Sequence, residues 1–167
     1  MEAEVSIIIV NYKTPKLILS CLESIFQFNK DLKKEILVVD NNSKDNSKKI
    51  ITHKYPTTIW ISNPINYGVA AAFNIGVKHA KGKYVLILNS DTIFSDNAIE
   101  KSLLEYKKLQ KKTKIAMLSI QALNPDKSKQ KTTFSSFPEL KDFIKRNSIY
   151  IKFFNYDKQI SSPKISD

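Results

Sequence analysis

The chain predicts an α/β fold with a mostly parallel central sheet and helices on both faces. Three observations carry that expectation. Short β-branched runs alternate with helical stretches from residue 5 to about residue 120. The first runs are continuously apolar, as strands buried on both faces are. Two of the strands lead into carboxylates, Asp40 and Asp91, at positions that belong to one sheet edge. Open α/β sheets bind ligands beyond the carboxyl ends of their strands.

Residues 5–10 (VSIIIV) form the first expected strand. Thr14 and Pro15 read as an N-cap followed by proline at the first helical position. Leu17, Ile18, Cys21, Leu22 and Ile25 then recur at helical spacing as one apolar stripe. Residues 35–40 (EILVVD) are the second strand, followed by the turn-rich run NNSKDNS. A short helix over 47–53 leads to a third strand over 57–62 and a loop over 63–68. A helix over 69–80 puts Val69, Phe73, Val77 and Ala80 on one side. Residues 84–88 (YVLIL) are the fourth strand, expected to be buried. A helix over 95–110 turns Ile99, Leu103 and Tyr106 inward, and 115–120 reads as a fifth strand. Alternating strands and helices of this kind imply parallel pairing through right-handed crossovers. Two segments result: a core over 1–123, and a differently patterned region over 124–167. There NPD signals a turn, 127–135 reads as an edge ribbon, and 138–154 as one or two helices.

The bulk composition excludes several classes. A chain of 167 residues is one domain, able to bury about two-thirds of its unfolded surface. Its single cysteine, Cys21, allows no internal disulfide and reads as a buried thiol. No apolar run approaches the ~20 residues of a membrane span. The acidic N-terminus is unlike a signal peptide, which points to the cytoplasm. Net charge is +11, nearly all of the excess being lysine, since Arg146 is the sole arginine. That balance suits a solvated surface, or attraction to an anionic membrane leaflet at its inner face. Nucleic-acid readers lean on arginine, so nucleic acid is not expected as a partner.

Asp40 and Asp91 have two readings: strand-end caps for the following turn, or ligands for a hard cation and, through it, a diphosphate. Two on one edge, beside an Asn-rich loop and a helix entered through Gly68, favour the second. The three glycines, Gly68, Gly76 and Gly82, form neither GxGxxG nor GxxxxGK[ST]. A dinucleotide-binding oxidoreductase is therefore disfavoured and a P-loop excluded. His53 and His79 lack partners at metal-ligand spacing, and no GxSxG elbow is present.

Four stretches in order carry a resemblance: VSIIIVNY ending at Tyr12, VVDNNS around Asp40, NYG and NIG around Gly68 and Gly76, and GKYVLILNSD ending at Asp91. Together they resemble the family 2 glycosyltransferases, over residues 5 to 137. The resemblance implies the GT-A fold and transfer of a sugar, with inversion, from a nucleoside-diphosphate sugar to a glycan or lipid-linked acceptor. It implies that Val10, Asn11 and Tyr12 line the nucleoside pocket and that Asp40 hydrogen-bonds a pyrimidine base. Asn66, Gly68 and Asn74 lie along the ribose and diphosphate. Asn89, Ser90 and Asp91 occupy the D-x-D position, with Asp91 holding Mn²⁺ or Mg²⁺. Asn89 in place of the first acid, and the later NPD … FSSFP segment, resemble a rhamnosyltransferase-like branch. That branch implies a UDP- or dTDP-linked donor such as dTDP-rhamnose. The family's catalytic base, an acid beyond the Phe-Pro pair, has no counterpart: Glu139, Asp142, Asp157 and Asp167 are isolated among lysines. The expectation is a chain whose C-terminal part is truncated, holding the donor half of the enzyme. A binding module without turnover is the competing expectation. A nucleotidyltransferase is disfavoured because NYKTP, not a Gly- and Arg-rich loop, follows the first strand.

Overall fold

The computed structural model describes residues 3–124 and 126–130. Four parallel strands make one sheet in the order β3-β2-β1-β4: β1 (Val5–Asn11), β2 (Lys34–Asp40), β3 (Ile59–Ser62) and β4 (Tyr84–Leu88). The helices between and after them are α1 (Pro15–Phe28), α2 (Ser47–Lys54), α3 (Val69–His79) and α4 (Ala98–Gln110). Register places Asn11 beside Asp40, Asp40 beside Ser62, and Ile9 beside Leu88. All four strands therefore finish at the same edge.

Strand alternation sends side chains to two cores. Val5, Ile7 and Ile9 of β1 join Ile36, Val38, Leu88, Ile18, Leu22, Ile25, Ile51 and Ile99 on the face covered by α1, α2 and α4. Ile8, Leu37, Val39 and Ala72 form a smaller core on the opposite face, under α3. The central strands β1 and β2 are thus buried on both sides, which is why their sequences lack polar alternation. Helix α3 comes close to the sheet because Gly76 has no side chain. A Cβ there would overlap Ile8 Cγ2 and stand 3.2 Å from Val39 Cγ2.

Several sequence expectations need correction. Residues 115–120 form no strand: the segment is irregular, with Met117 84% and Leu118 39% exposed. Apolar composition makes a strand only where an edge accepts its hydrogen bonds, and among the described residues none pairs with this one. Strand β4 forms but is buried on one face only. Tyr84, Leu86 and Leu88 face the larger core, whereas Val85 and Ile87 are 44% and 47% exposed because α3 lies over β1 and β2. Helix α3 buries Ala72 and Gly76 rather than Val69 and Val77, which are exposed. Leu17 likewise leaves the stripe of α1 and is exposed, while Ile18, Cys21, Leu22 and Ile25 stay buried. Thr14 precedes Pro15 at the start of α1 but makes no side-chain cap; its hydroxyl donates to Asn11 Oδ1 at 3.3 Å.

The chain divides into units 1–120 and 121–167. The described part of the second is a tight turn: Leu123 bridges Lys129, and Gln130 N donates to Ala122 O at 2.9 Å. The expected helices over 138–154, and the ribbon beyond residue 130, lie outside the described residues. Among the described residues no helix is long and apolar enough to cross a membrane.

Candidate functional site

At the carboxyl edge of the sheet lies a cavity of about 460 Å³. Val10 and Tyr12 reach it from the end of β1, Asn66 and Gly68 from the loop before α3, and Asn89, Ser90 and Asp91 from the turn after β4. These seven residues are far apart in the chain, and parallel register brings them together. The remaining three expected site residues stand elsewhere. Asn11 is completely buried beneath the site, Asp40 lies beside it in a hydrogen-bond network, and Asn74 is on an exposed face of α3 away from the cavity wall.

Asn11 is a bracket. Its Nδ2 donates to Asp40 Oδ1 at 2.8 Å and Ser43 Oγ at 3.0 Å, and its Oδ1 accepts from Thr14 N at 3.3 Å. Ser43 donates through its hydroxyl to Asp40 Oδ1 and through its backbone N to Oδ2 at 3.2 Å. Lys13 N donates to Ser43 Oγ at 2.9 Å. The Asp40 carboxylate is thereby fixed in orientation, as a hydrogen-bonding group must be to select a ligand. Keeping the chain in this arrangement requires left-handed backbone at Lys13, Asn42 and Lys44, with φ of 58°, 65° and 54°. Such strain in non-glycine residues clusters at functional sites. The same residues, with Tyr12, Ser43 and Asp45, enclose a second cavity of about 490 Å³, and Tyr12 borders both.

Beyond the expected residues, Thr14, Leu17, Asn41, Val69 and Phe73 also line the first cavity. Leu17, Val69 and Phe73 read in the sequence as core positions. Their exposure was concealed because an apolar residue at helical spacing looks the same whether its stripe meets a core or a cleft. Asn41 was hidden beside Asp40 in a run of turn residues. Beneath the site, the Cys21 thiol is pushed up to about 12, first by burial and then by the nearby Asp91 carboxylate.

Among the described residues Asp91 is the only carboxylate on the cavity wall, and they hold no group of three or more His, Cys, Asp or Glu side chains placed to bind a metal. That donor set fits Mg²⁺ or Mn²⁺ held by one carboxylate together with ligand phosphates, and does not fit an all-protein cage.

A parallel sheet with a polar cavity at its carboxyl edge defines an α/β domain of the open-sheet class, in which ligands bind beyond the strand ends. The chain belongs to glycosyl transferase family 2, whose profile matches residues 6–160. A dolichyl-phosphate beta-glucosyltransferase of Trichomonas vaginalis is 36% identical over 106 residues, covering 60% of this chain and 32% of that protein. The structure of residues 1-349 of S. aureus TarS in complex with UDP-GlcNAc superposes with a TM-score of 0.55 at 25% identity, covering 64% of this chain and 31% of that fragment. The mannosyltransferase PcManGT from Pyrobaculum calidifontis, solved in complex with GDP-Man and Mn²⁺, gives a TM-score of 0.55 at 23% identity over 64% of this chain and 32% of its own. The fold is that of the GT-A glycosyltransferases. The chain spans about a third of the length of these relatives.

Proposed function

We propose that this chain is the donor-binding part of an inverting glycosyltransferase that takes a sugar from a nucleoside-diphosphate sugar to a glycan or lipid-linked acceptor. The observation that carries this is the cavity at the strand ends that gathers Val10, Tyr12, Asn66, Gly68, Asn89, Ser90 and Asp91. Tyr12 offers an aromatic face and Asp40 a fixed acceptor for a pyrimidine base. Asn66 and Gly68 serve the ribose and diphosphate. Asp91 would hold Mn²⁺ or Mg²⁺, with Asn89 and Ser90 beside it on the donor. Such an ion would supply countercharge to a diphosphate leaving group. The UDP-GlcNAc complex of TarS supports uridine diphosphate as the leaving group, and Asn89 supports a dTDP-sugar such as dTDP-rhamnose. The lysine-rich surface favours work at an anionic inner membrane face, and co-sedimentation with anionic but not neutral vesicles tests it.

A second reading, donor binding without turnover, is favoured by one observation. Among the described residues, no carboxylate other than Asp91 lines the cavity, so none is positioned there to deprotonate an acceptor. Isothermal titration with UDP and dTDP in the presence of Mn²⁺ tests the site. Binding that collapses at least tenfold in Asp91→Ala is expected. No binding, or binding indifferent to Asp91→Ala, overturns it. Sugar transfer or donor hydrolysis by the 167-residue chain would overturn the second reading alone.

A further inference from the structure

Asn41 is almost completely buried, at 3% exposure, and every polar group of its side chain is used. Its backbone N donates to Asn11 O at 2.8 Å, holding the residue at the end of the β1–β2 ladder. Its Oδ1 accepts from Asn63 Nδ2 at 3.1 Å and from Tyr67 N at 3.0 Å. Its Nδ2 donates to Asn66 Oδ1 at 2.6 Å, and that same oxygen accepts from Gly68 N at 2.9 Å. One side chain just after β2 therefore grips the loop before α3 at three points. Gly68 stands at φ 81° and ψ 163°, a conformation that favours glycine, with no atom within 4 Å of where a Cβ would be. Two hydrogen bonds hold its backbone: its N–H donates to Asn66 Oδ1, and its carbonyl accepts from Ala72 N at 3.1 Å in the first turn of α3, of which Gly68 is the N-cap residue, beside Val69 on the cavity wall.

We propose that Asn41 is a positioning residue for the nucleotide site, acting through Asn66 to set Gly68 and the exposed first turn of α3. This rests on the donor-site reading above for its consequence, but not for its geometry. The relay has a polarity. Asn66 Oδ1 receives two donors, so its own Nδ2 is turned away from them. An aspartate at 41 keeps the acceptor for Tyr67 N but sets an oxygen against Asn66 Oδ1. Asn66 must then turn its amide, and Gly68 N–H faces another donor.

Amide hydrogen exchange on the full chain reads this without a ligand. Asn41→Ala should speed exchange at both Tyr67 and Gly68 roughly tenfold, the scale of a lost hydrogen bond. Asn41→Asp should speed Gly68 alone, and Asn66→Ala should act on Gly68 as Asn41→Ala does, with no further increase in the double variant. UDP titration with Mn²⁺ then reads the consequence: weaker binding in Asn41→Ala and Asn66→Ala, unchanged in Glu35→Gln at the opposite end of the sheet. Unaltered Gly68 exchange in Asn41→Ala, or independent effects in the double variant, overturns the relay. Altered exchange with unaltered nucleotide affinity overturns the positioning role. Absence of nucleotide binding by the unmutated chain overturns the donor site and the positioning role together, and leaves the relay to be judged by exchange.

Discussion

Replacing Gly76 by alanine sets two effects of opposite sign against each other. Gly76 is in the interior of α3, where alanine is favoured over glycine by about 0.8–1.0 kcal/mol. Against this, the new methyl overlaps Ile8 Cγ2, stands 3.4 Å from Ile8 Cδ1 and 3.2 Å from Val39 Cγ2. Ile8 and Val39 are fully buried. Ile8 Cγ2 is one bond from the backbone-anchored Cβ of a central strand, so it cannot swing aside as a chain terminus can. Helix α3 must lift from the sheet instead. Overpacking of this kind costs typically about 1–3 kcal/mol, so the clash wins and the net loss is about 1 kcal/mol. With a urea m-value of about 2 kcal/mol per molar, the midpoint should fall by about 0.5 M. Far-UV circular dichroism and the fluorescence of the single tryptophan, Trp60, report the transition. Ile8→Ala alone should cost about 2–5 kcal/mol through its cavity. Combined with Gly76→Ala it should cost less than the sum, because the alanine methyl fills part of that cavity. A midpoint that is unchanged or raised in Gly76→Ala, or costs that simply add, would refute the close-approach account of this glycine.

Two further outcomes follow from buried chemistry. Burial opposes ionisation of Glu35, but hydrogen bonds from Ser6 Oγ, Lys81 N and Gly82 N, with the charge of Lys81, outweigh it and hold the carboxyl below the usual carboxylate range. A depressed folded value contributes stability that is full above the unfolded pKa of about 4.3 and is lost as pH falls through the folded value. Glu35→Gln should therefore lower the urea midpoint at pH 7 and lose less between pH 5 and pH 3 than the unmutated chain; an equal loss over that interval would contradict it. The Cys21 thiol, buried and pushed up to about 12, should resist an aromatic disulfide reagent at pH 8 and react at once in denaturant. Rapid labelling of the folded chain would show that Cys21 is not held in the core.

Much of the architecture was legible because it is local. Residues 5–10 and 35–39 are continuous β-branched and apolar runs, and nothing but a strand covered on both faces suits them. The starts of α1 at Pro15 and α3 after Gly68 were legible for a similar reason, since proline and glycine act through their own backbone. Residues 115–120 show where that logic ends. They are apolar as β1 and β2 are, though poorer in β-branched residues, and a strand is a pairing property: what an edge offers is not written in the segment itself. The half-exposed β4 has the same origin: YVLIL is as apolar as VSIII, yet the path of α3 covers one and leaves the other open.

The sequence by itself determined the class of fold and put Asp40 and Asp91 at strand ends, because strand ends and turn residues announce themselves over a few positions. The resemblance to family 2 glycosyltransferases, not any local rule, picked out Val10, Tyr12, Asn66, Asn89 and Ser90, which with Gly68 and Asp91 line the cavity at that edge. Only the tertiary structure decided that Asn11 faces inward to bracket Asp40, that Leu17 and Val69 line a cleft and not a core, and that Asn41 clasps a loop more than twenty residues away. Those are matters of which side chain meets which across the sheet, and they are set by parallel register and helix placement rather than by any residue's own preference.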